Sequence, residues 1–252
     1  MKAYFSFLFL LAFPYFCIAQ IDTTYIKPFD NKLSVRTYLS MKFISMEQEI
    51  DGEIKKFMPN SPMSLGAGLS INNTIINLSY GYGLNFMKDD KKGRTKALDF
   101  QIHNYGRKFI IDLFVQKYHG FYTSDNSDKN IQLYPDLKIQ QYGAFGQYVF
   151  NNKKFSYKAA FNQNEKQLKS AGSFLVGGGV YFSKINSDSS FVHKSKNSLR
   201  NFQFGFSGGY AYTWAINKRW FASGSATTGV NFGTERINDF GKQKIEIYPT
   251  FF

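Results

Sequence analysis

The sequence predicts an all-β fold, namely an antiparallel transmembrane β-barrel of about 10–12 strands. Apolar and polar residues alternate with a period of two over many segments, which is typical of strands with two unlike faces. One face is aromatic and aliphatic, whereas the other carries small, uncharged polar side chains, as in a barrel with lipid outside and water inside. Five charged residues within the predicted strands fall on the polar face: Arg36, Lys42, Asp99, Asp112 and Lys158. Lys117 and Lys138 do not, but each lies near a predicted strand end beside a loop, where a charge facing lipid costs less.

The segment from Asn201 to Phe232 shows this alternation most clearly. Its first half places six aromatic residues on one parity: Phe202, Phe204, Phe206, Tyr210, Tyr212 and Trp214. After a predicted three-residue turn, Ile216 to Lys218, the alternation resumes and sets Trp220 opposite Trp214. Because amphipathic aromatic rings favour the membrane–water interface, we expect Tyr212, Trp214 and Trp220 to lie there.

The N-terminus predicts an export signal. An apolar run follows Lys2, and small residues precede Gln20, so residues 1–19 are interpreted as a cleavable signal peptide. Residues 20–252 form a single predicted outer-membrane β-barrel domain, because no linker divides them. Cys17 would also allow lipoprotein processing, but Phe16 stands where such a site needs a small residue. Cys17 is the one cysteine, so cleavage leaves a mature chain without disulfides.

Charge and hydropathy narrow the classes of partner. The formal net charge is +13, and the slightly negative mean hydropathy excludes a bundle of transmembrane helices. An exported chain meets little nucleic acid, so we expect no nucleic-acid partner. The predicted partners are outer-membrane lipids or lipopolysaccharide, which are anionic, and the barrel-assembly machinery. An alternative is that Lys and Arg only solvate loops.

The first half of the chain supplies one strand and two hairpins. The strand is Leu33 to Phe43, and the connection after it carries a short extension around Ile54 to Phe57. The first hairpin joins Met63 to Ile71 with Thr74 to Phe86, and the second joins Ala97 to Tyr105 with Lys108 to Tyr122. Two-residue turns would pair apolar with apolar residues in both, Leu69 with Ile76 and Phe100 with Leu113.

The second half completes a count of ten strands and the beginning of an eleventh. Its five predicted strands are Leu137 to Phe150, Phe155 to Phe161, Ser173 to Phe182 and the two strands of the hairpin of Asn201 to Phe232. The segment Gly233 to Lys244 follows, and Ile245 to Phe252 could begin the eleventh strand. Bacterial barrels close with an even number of strands, so the count favours a chain truncated at its C-terminal end. The alternative is that Phe252 is a natural terminal aromatic residue, although Pro249 makes a poor closing strand.

Turn lengths predict an orientation that is inconsistent at one place. The short turns at Asn72, Gly106 and Asn151 share one end, which is the periplasmic end in such barrels. A strand at Phe155 to Phe161 would put the short turn at Asn217 at the opposite end. Either the segment Ser183 to Ser198 holds a further strand, or one connection departs from the length rule.

Two groups of residues are candidates for a site. His103, Asp99, Asp112 and Gln116 would share the lumen, where a His oriented by a carboxylate could act as a general base; the alternative is a polar network that fills a narrow barrel. Gln167, Lys169, Ser170 and Ser173 could bind an anionic head group or a sugar, or could be hydrogen-bonded into the barrel mouth. Gly177 to Gly179 indicates close strand packing. His119 and His193 lack metal-ligand spacing, and no metal or cofactor is predicted.

Three motifs lie within the predicted barrel domain: PNSPMSLGAG at Pro59 to Gly68, QKYHGFY at Gln116 to Tyr122 and NQNEKQLKSAGSF at Asn162 to Phe174. Together they resemble the family called domain of unknown function four-four-two-one, which consists of predicted outer-membrane barrels behind signal peptides. The resemblance covers about Tyr25 to Phe252, and its third motif is the most specific. Members generally continue beyond the position of Phe252. The resemblance implies a barrel but no activity, cofactor or catalytic residue.

These observations lead to one expectation and two alternatives. We expect a bacterial outer-membrane β-barrel with a structural, ligand-binding or narrow transport role, whose inward aromatic side chains fill a small lumen. The first alternative is a lipid hydrolase or acyltransferase in the same membrane that uses the His103 cluster. The second is a secreted soluble β-barrel that binds an apolar ligand, against which the scarcity of Lys and Glu on the polar faces argues.

Overall fold

The computed structural model describes residues 21–30, 33–41, 44–50, 53–60, 63–81, 89–124, 130–162, 164–188, 198–237 and 245–251. The predicted signal peptide, the predicted strand segment 82–86, residues 238–244, Lys42, His193 and Phe252 lie outside the described residues.

The described residues form fourteen strands and one α-helix. The strands are β1 Ile26–Pro28, β2 Leu33–Met41, β3 Met46–Ile50, β4 Glu53–Phe57, β5 Met63–Ile71, β6 Thr74–Gly81, β7 Lys96–Tyr105, β8 Phe109–Ser124, β9 Ile131–Val149, β10 Glu165–Gln167, β11 Ala171–Asn186, β12 Ser198–Ala215, β13 Phe221–Ile237 and β14 Ile245–Phe251. The helix α1 is Tyr157–Phe161. No helix within the described ranges is long and apolar enough to cross a membrane.

Ten strands form one antiparallel sheet in the order β14-β13-β12-β11-β9-β8-β7-β6-β5-β2. Two small sheets accompany it, β1 with β10 and β3 with β4. The all-β antiparallel prediction is therefore confirmed. Strands β2 and β14 are the edges of the large sheet and are not paired with each other in the described residues, so closure of the barrel stays a prediction.

The two faces of the large sheet have opposite polarity, as the alternation predicts. Apolar side chains of the outer face are exposed, for example Val35 at 74% and Phe206 at 68%. Polar side chains of the other face are buried, for example Thr213 at 0% and Ser79 at 2%. This arrangement is the inverse of a water-soluble sheet, which buries its apolar face.

The sheet curves round so that its polar face encloses an interior. Gln147 on β9 and Thr227 on β13 are separated by two intervening strands, which in a flat sheet would place them about 14 Å apart. Their side chains nevertheless meet, with Gln147 Nε2 3.4 Å from Thr227 Oγ1. Gly177 permits the close approach of β11 to β9, because a Cβ at this position would collide with the Gly146 carbonyl oxygen. The predicted role of this glycine segment is thus confirmed.

Two apolar clusters lie at opposite ends of this interior. The first, at the end that holds the short turns, contains Ile110, Val149, Phe155, Ala171, Leu175 and Ala211. The second, at the other end, contains Phe57, Ala97, Tyr118, Phe121, Leu137 and Ile139. Polar and charged side chains occupy the middle between the two clusters, so the interior has three layers.

The prediction of a strand from Phe155 to Phe161 is wrong, because this segment forms α1. Ser156 caps the helix by accepting a hydrogen bond from Ala159 N at 3.0 Å, and Ala159 and Ala160 are strong helix formers. Strands β9 and β11 are consequently direct antiparallel neighbours. The turn at Asn217 therefore falls at the same end as those at Asn72, Gly106 and Asn151, and the inconsistency in orientation disappears.

Hairpin registers were predicted correctly at one turn and wrongly at two. Leu69 pairs with Ile76 across Asn72-Asn73, where Asn72 adopts a φ of 54°. Phe100 pairs with Val115 instead of Leu113, and Trp214 pairs with Ala222 instead of Trp220. Both turns are longer than predicted, which shifts each register by two residues and leaves the faces unchanged.

The connection before β5 forms the hairpin β3–β4, which packs inward instead of extending the large sheet. Phe57 is 1% exposed and meets the Tyr134 ring edge-on at a centroid distance of 5.0 Å. Met58 and Tyr122 exchange two backbone hydrogen bonds of 2.8 and 2.9 Å. The end opposite the short turns is thereby covered.

Candidate functional site

Five inward side chains of β7 and β8 form a continuous hydrogen-bonded chain in the middle layer. His103 Nδ1 lies 2.5 Å from Asp112 Oδ1, and His103 Nε2 lies 3.1 Å from Gln101 Oε1. Gln101 Nε2 donates to both oxygens of Asp99 at 2.9 and 3.1 Å, and Gln116 Nε2 donates to Asp99 Oδ1 at 3.2 Å. The structure thus brings together the four predicted residues and adds Gln101.

This geometry determines what His103 can do. Both ring nitrogens are engaged within the cluster, Nδ1 with Asp112 Oδ1 and Nε2 with Gln101 Oε1. The third hydrogen-bond partner of His103 among the described residues is the Tyr105 hydroxyl, 3.4 Å from Nδ1, and none is a serine or threonine. A catalytic role for the cluster stays a prediction.

A cavity of about 420 Å³ adjoins the hydrogen-bonded chain, and we call it the polar chamber. Amide side chains dominate its polar wall, and three aromatic residues also line it: Gln101, Gln116, Gln141, Gln203, Asn231, Phe114, Tyr142 and Tyr181. Among the described residues, the side chains of Gln141 and Ser183 have no hydrogen-bond partner, and Gln203 has a single long contact of 3.4 Å with Asn231. Their donors and acceptors are available to water or a ligand.

The short-turn end of the interior is filled by the segments β1, α1 and β10, which we call the plug. Lys158 Nζ donates to Asn73 Oδ1 at 2.9 Å in the β5–β6 turn. On the other side of the curved sheet, the Tyr157 hydroxyl bonds to Ser225 of β13. Burial raises the pKa of Tyr157, and this hydrogen bond opposes the shift. The plug therefore bridges two distant parts of the sheet.

Glu165 of β10 anchors the plug through a buried network of charges. Its carboxylate is 2.7 Å from Arg107 Nη2 through each oxygen, and it accepts a 2.7 Å hydrogen bond from Ser156 Oγ. Lys158 Nζ lies 3.8 Å away. Because the side chain of Glu165 is only 8% exposed, its charge requires these partners.

The predicted ligand-binding residues lie in and after β10, where their polar groups already have partners. The Gln167 side chain bonds to four backbone groups: Ser156 N, Lys154 O, Lys169 O and Tyr25 O. Ser173 Oγ accepts from Asn151 N at 2.9 Å, and Ser170 Oγ accepts from Ala215 N at 3.0 Å. The ammonium of Lys169 lies 5.2 Å from the centre of the Tyr25 ring. These contacts hold the plug in place, and ligand binding by these residues stays a prediction.

A comparison with protein families identifies the chain. The model of the family described as domain of unknown function (DUF4421) matches residues 20–247. The chain belongs to this family. No curated protein and no solved structure matches it.

Two of the three DUF4421-like motifs meet at the end opposite the short turns. Asn60 N donates to Thr95 Oγ1 at 2.8 Å, and Thr95 Oγ1 donates to the Gly120 carbonyl at 2.7 Å. Asn60 Nδ2 also donates to the carbonyls of Asp89 and Gly93 at 2.6 and 2.5 Å. Gly120 has a φ of 91°, a conformation that favours glycine, and forms a bulge in β8.

The third motif supplies strand β10 of the plug, with Glu165 and Gln167, and the first residues of β11, with Ser173. Residues of all three motifs thus contact one another or the sheet at the ends of the interior, and Gln116 of the second motif also belongs to the hydrogen-bonded chain of the middle layer.

The predicted interface aromatics lie together on the outer face near the short-turn end. Trp220 is 70% exposed, Trp214 57% and Tyr212 44%. Asn217 Oδ1 accepts hydrogen bonds from Arg219 N and Trp220 N, which fixes the turn that carries Trp220. Their position at a membrane interface stays a prediction.

Sequence reasoning missed Gln101, Arg107 and Glu165. Gln101 follows the same parity as His103, so the alternation could have included it. Arg107 and Glu165 are 58 residues apart and lie in a turn and a short plug strand, where no periodicity marks a partner. Within the described part of the chain, no group of three or more His, Cys, Asp or Glu residues is arranged to hold a metal ion.

Proposed function

We propose that this protein is a bacterial outer-membrane β-barrel with a plugged polar interior, which serves as a binding or structural protein and not as an open pore. One observation carries the proposal: the large sheet exposes its apolar face and buries its polar face. A bilayer is the solvent that stabilises this polarity.

The placement of charge supports a lipid environment for the outer face. Asp99 and Asp112 point into the interior, where each has hydrogen-bond partners. A charged residue at mid-bilayer on the outer face would cost about 2–4 kcal/mol for Lys or Arg. The secreted soluble alternative would need the reverse polarity, because a soluble monomer rarely exposes an apolar patch beyond a few hundred Å².

The layered interior favours binding or structure over conduction. The plug occupies the short-turn end, and the cluster around Phe57 occupies the other. Between them, the polar chamber offers amide donors and acceptors together with the rings of Phe114 and Tyr181. Such a wall suits a small neutral ligand with several hydroxyl groups, which can stack on a ring and bond to amides.

Fractionation of cells that express the gene tests the membrane assignment. We expect the protein in the outer-membrane fraction, with a mobility on detergent gels that changes after heating. Recovery in the periplasm or the medium, without such a change, would contradict the proposal. As a matched test, Val35→Lys on the outer face should reduce the membrane-inserted fraction, whereas Gln141→Lys in the chamber should reduce it less.

Conductance in planar bilayers tests the plugged interior. The native protein should give no stable channel, whereas a variant that releases the plug, Arg107→Ser with Lys158→Ser, should conduct. Steady conductance of the native protein would instead establish a transport role.

A lipid-modifying enzyme is the second candidate, and the contact between His103 and Asp112 is the observation that favours it. Phospholipid turnover by purified protein in mixed micelles tests it. His103→Ala should abolish any turnover that is found, and Gln132→Ala, on β9 but outside the cluster, should leave it unchanged. Equal turnover by all three proteins would exclude the cluster as an active site.

A further inference from the structure

A second cavity lies at the short-turn end, between the plug strand β10 and the turn that joins β12 to β13. It has a volume of about 260 Å³, and Lys166 Nζ reaches across it to donate to the Lys218 carbonyl oxygen at 2.6 Å. An ammonium group has three donors, so two remain for another acceptor.

Three cations line this cavity: Lys166, Lys218 and Arg219. None of them forms an ion pair with another described residue. Glu165 also lines the cavity, but its carboxylate is bound by Arg107 and Ser156. Among the described residues, the site therefore has an excess of positive charge.

The cavity also has an apolar wall, made by Phe29, Trp220 and Phe221, with exposures of 42%, 70% and 44%. Trp220 has the parity of the outer face, whereas Phe221 pairs with Ala215 on the inner parity. Trp220 belongs to the group of exposed outer aromatics that also includes Trp214. A basic rim beside exposed aromatic rings matches an amphiphile with an anionic head and an apolar tail.

The end as a whole is basic, which adds a long-range attraction. Its described turn and plug residues include Lys27, Lys108, Lys153, Lys154, Lys158, Lys166, Lys169, Lys218, Arg107 and Arg219, against the acidic residues Asp22, Asp30 and Glu165. Anionic lipid head groups attract such surfaces by about 1 kcal/mol per basic residue near the membrane.

We propose that this cavity binds the phosphate group of an anionic phospholipid in the leaflet that surrounds the short-turn end. Lys166 and Arg219 hold the phosphate, and the acyl chains run along Trp220 and the outer face. The inference rests on the proposed membrane location. It goes beyond that location by assigning a specific lipid site to named residues.

Tryptophan fluorescence tests the proposal, because Trp214 and Trp220 are the two tryptophans in the sequence. In the variant Trp214→Phe, Trp220 remains as the reporter. We would titrate this protein in neutral detergent micelles with brominated phosphatidylglycerol, brominated phosphatidylcholine or inorganic phosphate. Saturable quenching by phosphatidylglycerol, at least about tenfold tighter than by phosphatidylcholine, supports the site.

Charge variants locate the binding. Lys166→Gln and Arg219→Gln should each weaken phosphatidylglycerol binding about 5- to 10-fold, since each removes a charged hydrogen-bond donor from a partly exposed site. Lys153→Gln is the matched control, because it removes the same charge from the same end outside the cavity and should change the affinity less than twofold.

Three outcomes would overturn the proposal: equal binding of both lipids, an equal loss with Lys153→Gln, or displacement of the lipid by millimolar inorganic phosphate, which would indicate a site for free phosphate. A heated and unheated gel of each variant is run in parallel. Absence of the mobility shift in the unmutated protein would reject the membrane location itself, whereas a normal shift with equal lipid binding rejects the lipid site alone.

Discussion

The short-turn end and the opposite end of the interior are both covered, but different interactions hold the covering segments. At the short-turn end, the plug is fixed by the buried carboxylate of Glu165, which bonds to Arg107 and Ser156. At the opposite end, the β3–β4 hairpin inserts Phe57 into an apolar cluster with Leu137 and Ile139.

Because of this difference, the two ends should tolerate substitutions differently. A buried ion pair tolerates few substitutions, because a remaining unpaired charge is costly. An apolar cluster tolerates changes of side chain that preserve volume. We therefore expect the plug end to depend on the identity of its residues and the hairpin end to depend on how well the space is filled.

The largest effect is expected from Phe57→Ala. Removing a ring that is 1% exposed should lower the free energy of unfolding by about 3–5 kcal/mol, because a cavity remains. Phe57→Leu should cost only about 1 kcal/mol. Urea unfolding in detergent micelles measures the loss for each variant. Equal losses in the free energy of unfolding would show that the volume of the side chain at position 57 does not determine stability at this end.

A double-mutant cycle tests the plug end. Arg107→Met should lower the free energy of unfolding by about 3 kcal/mol, because it removes the main partner of the buried Glu165 carboxylate. Adding Glu165→Met should restore most of that loss, since the uncompensated charge disappears. The same urea titration applies, and additive losses would contradict a coupled pair.

Gly120→Ala should cost about 2–3 kcal/mol. Its φ of 91° strains any other residue, and a Cβ there would collide with the Arg94 carbonyl oxygen. Gly224→Ala on β13 is the control, because its Cβ would have no atom within 4 Å and should change stability by less than about 0.5 kcal/mol. A similar loss of stability in the two variants would show that the backbone conformation at Gly120 does not contribute to stability.

The smallest expected difference in stability is between alanine variants of two buried asparagines, one at each end of the interior. Asn60 bonds to carbonyls 29 and 33 residues away, whereas Asn152 bonds to carbonyls two and three residues away. Asn60→Ala should cost about 2 kcal/mol and Asn152→Ala about 1 kcal/mol. Because Asn60 joins separate segments, hydrogen exchange of residues 89–93 should also rise in its variant alone.

Most of the sheet was predictable from the sequence because strand side chains alternate strictly. The pairing of Leu69 with Ile76 was predicted correctly, since a two-residue Asn-Asn turn fixes the register. The β7–β8 register was wrong by two residues because the turn around Arg107 is longer than its glycine suggested. The correct register sets His103 directly opposite Asp112, so the candidate cluster was predicted but its central contact was not.

The segment from Phe155 to Phe161 shows the limit of alternation over short stretches. Its apolar spacing is compatible with a strand, yet Ser156 as a helix cap and the Ala159-Ala160 pair favour a helix. Those signals were present in the sequence. Only packing against the interior decides between them, because a five-residue helix is not stable by itself.

The sequence by itself determined most strands of the large sheet and which face of each is apolar, because a period of two is a local property of the chain. Tertiary structure decided that the apolar face is the exposed one. Tertiary structure alone decided that a plug fills the short-turn end, that Arg107 meets Glu165, and that Lys166 reaches Lys218. These contacts join residues 52 and 58 positions apart, and they arise from the curvature of the sheet, which no local pattern encodes.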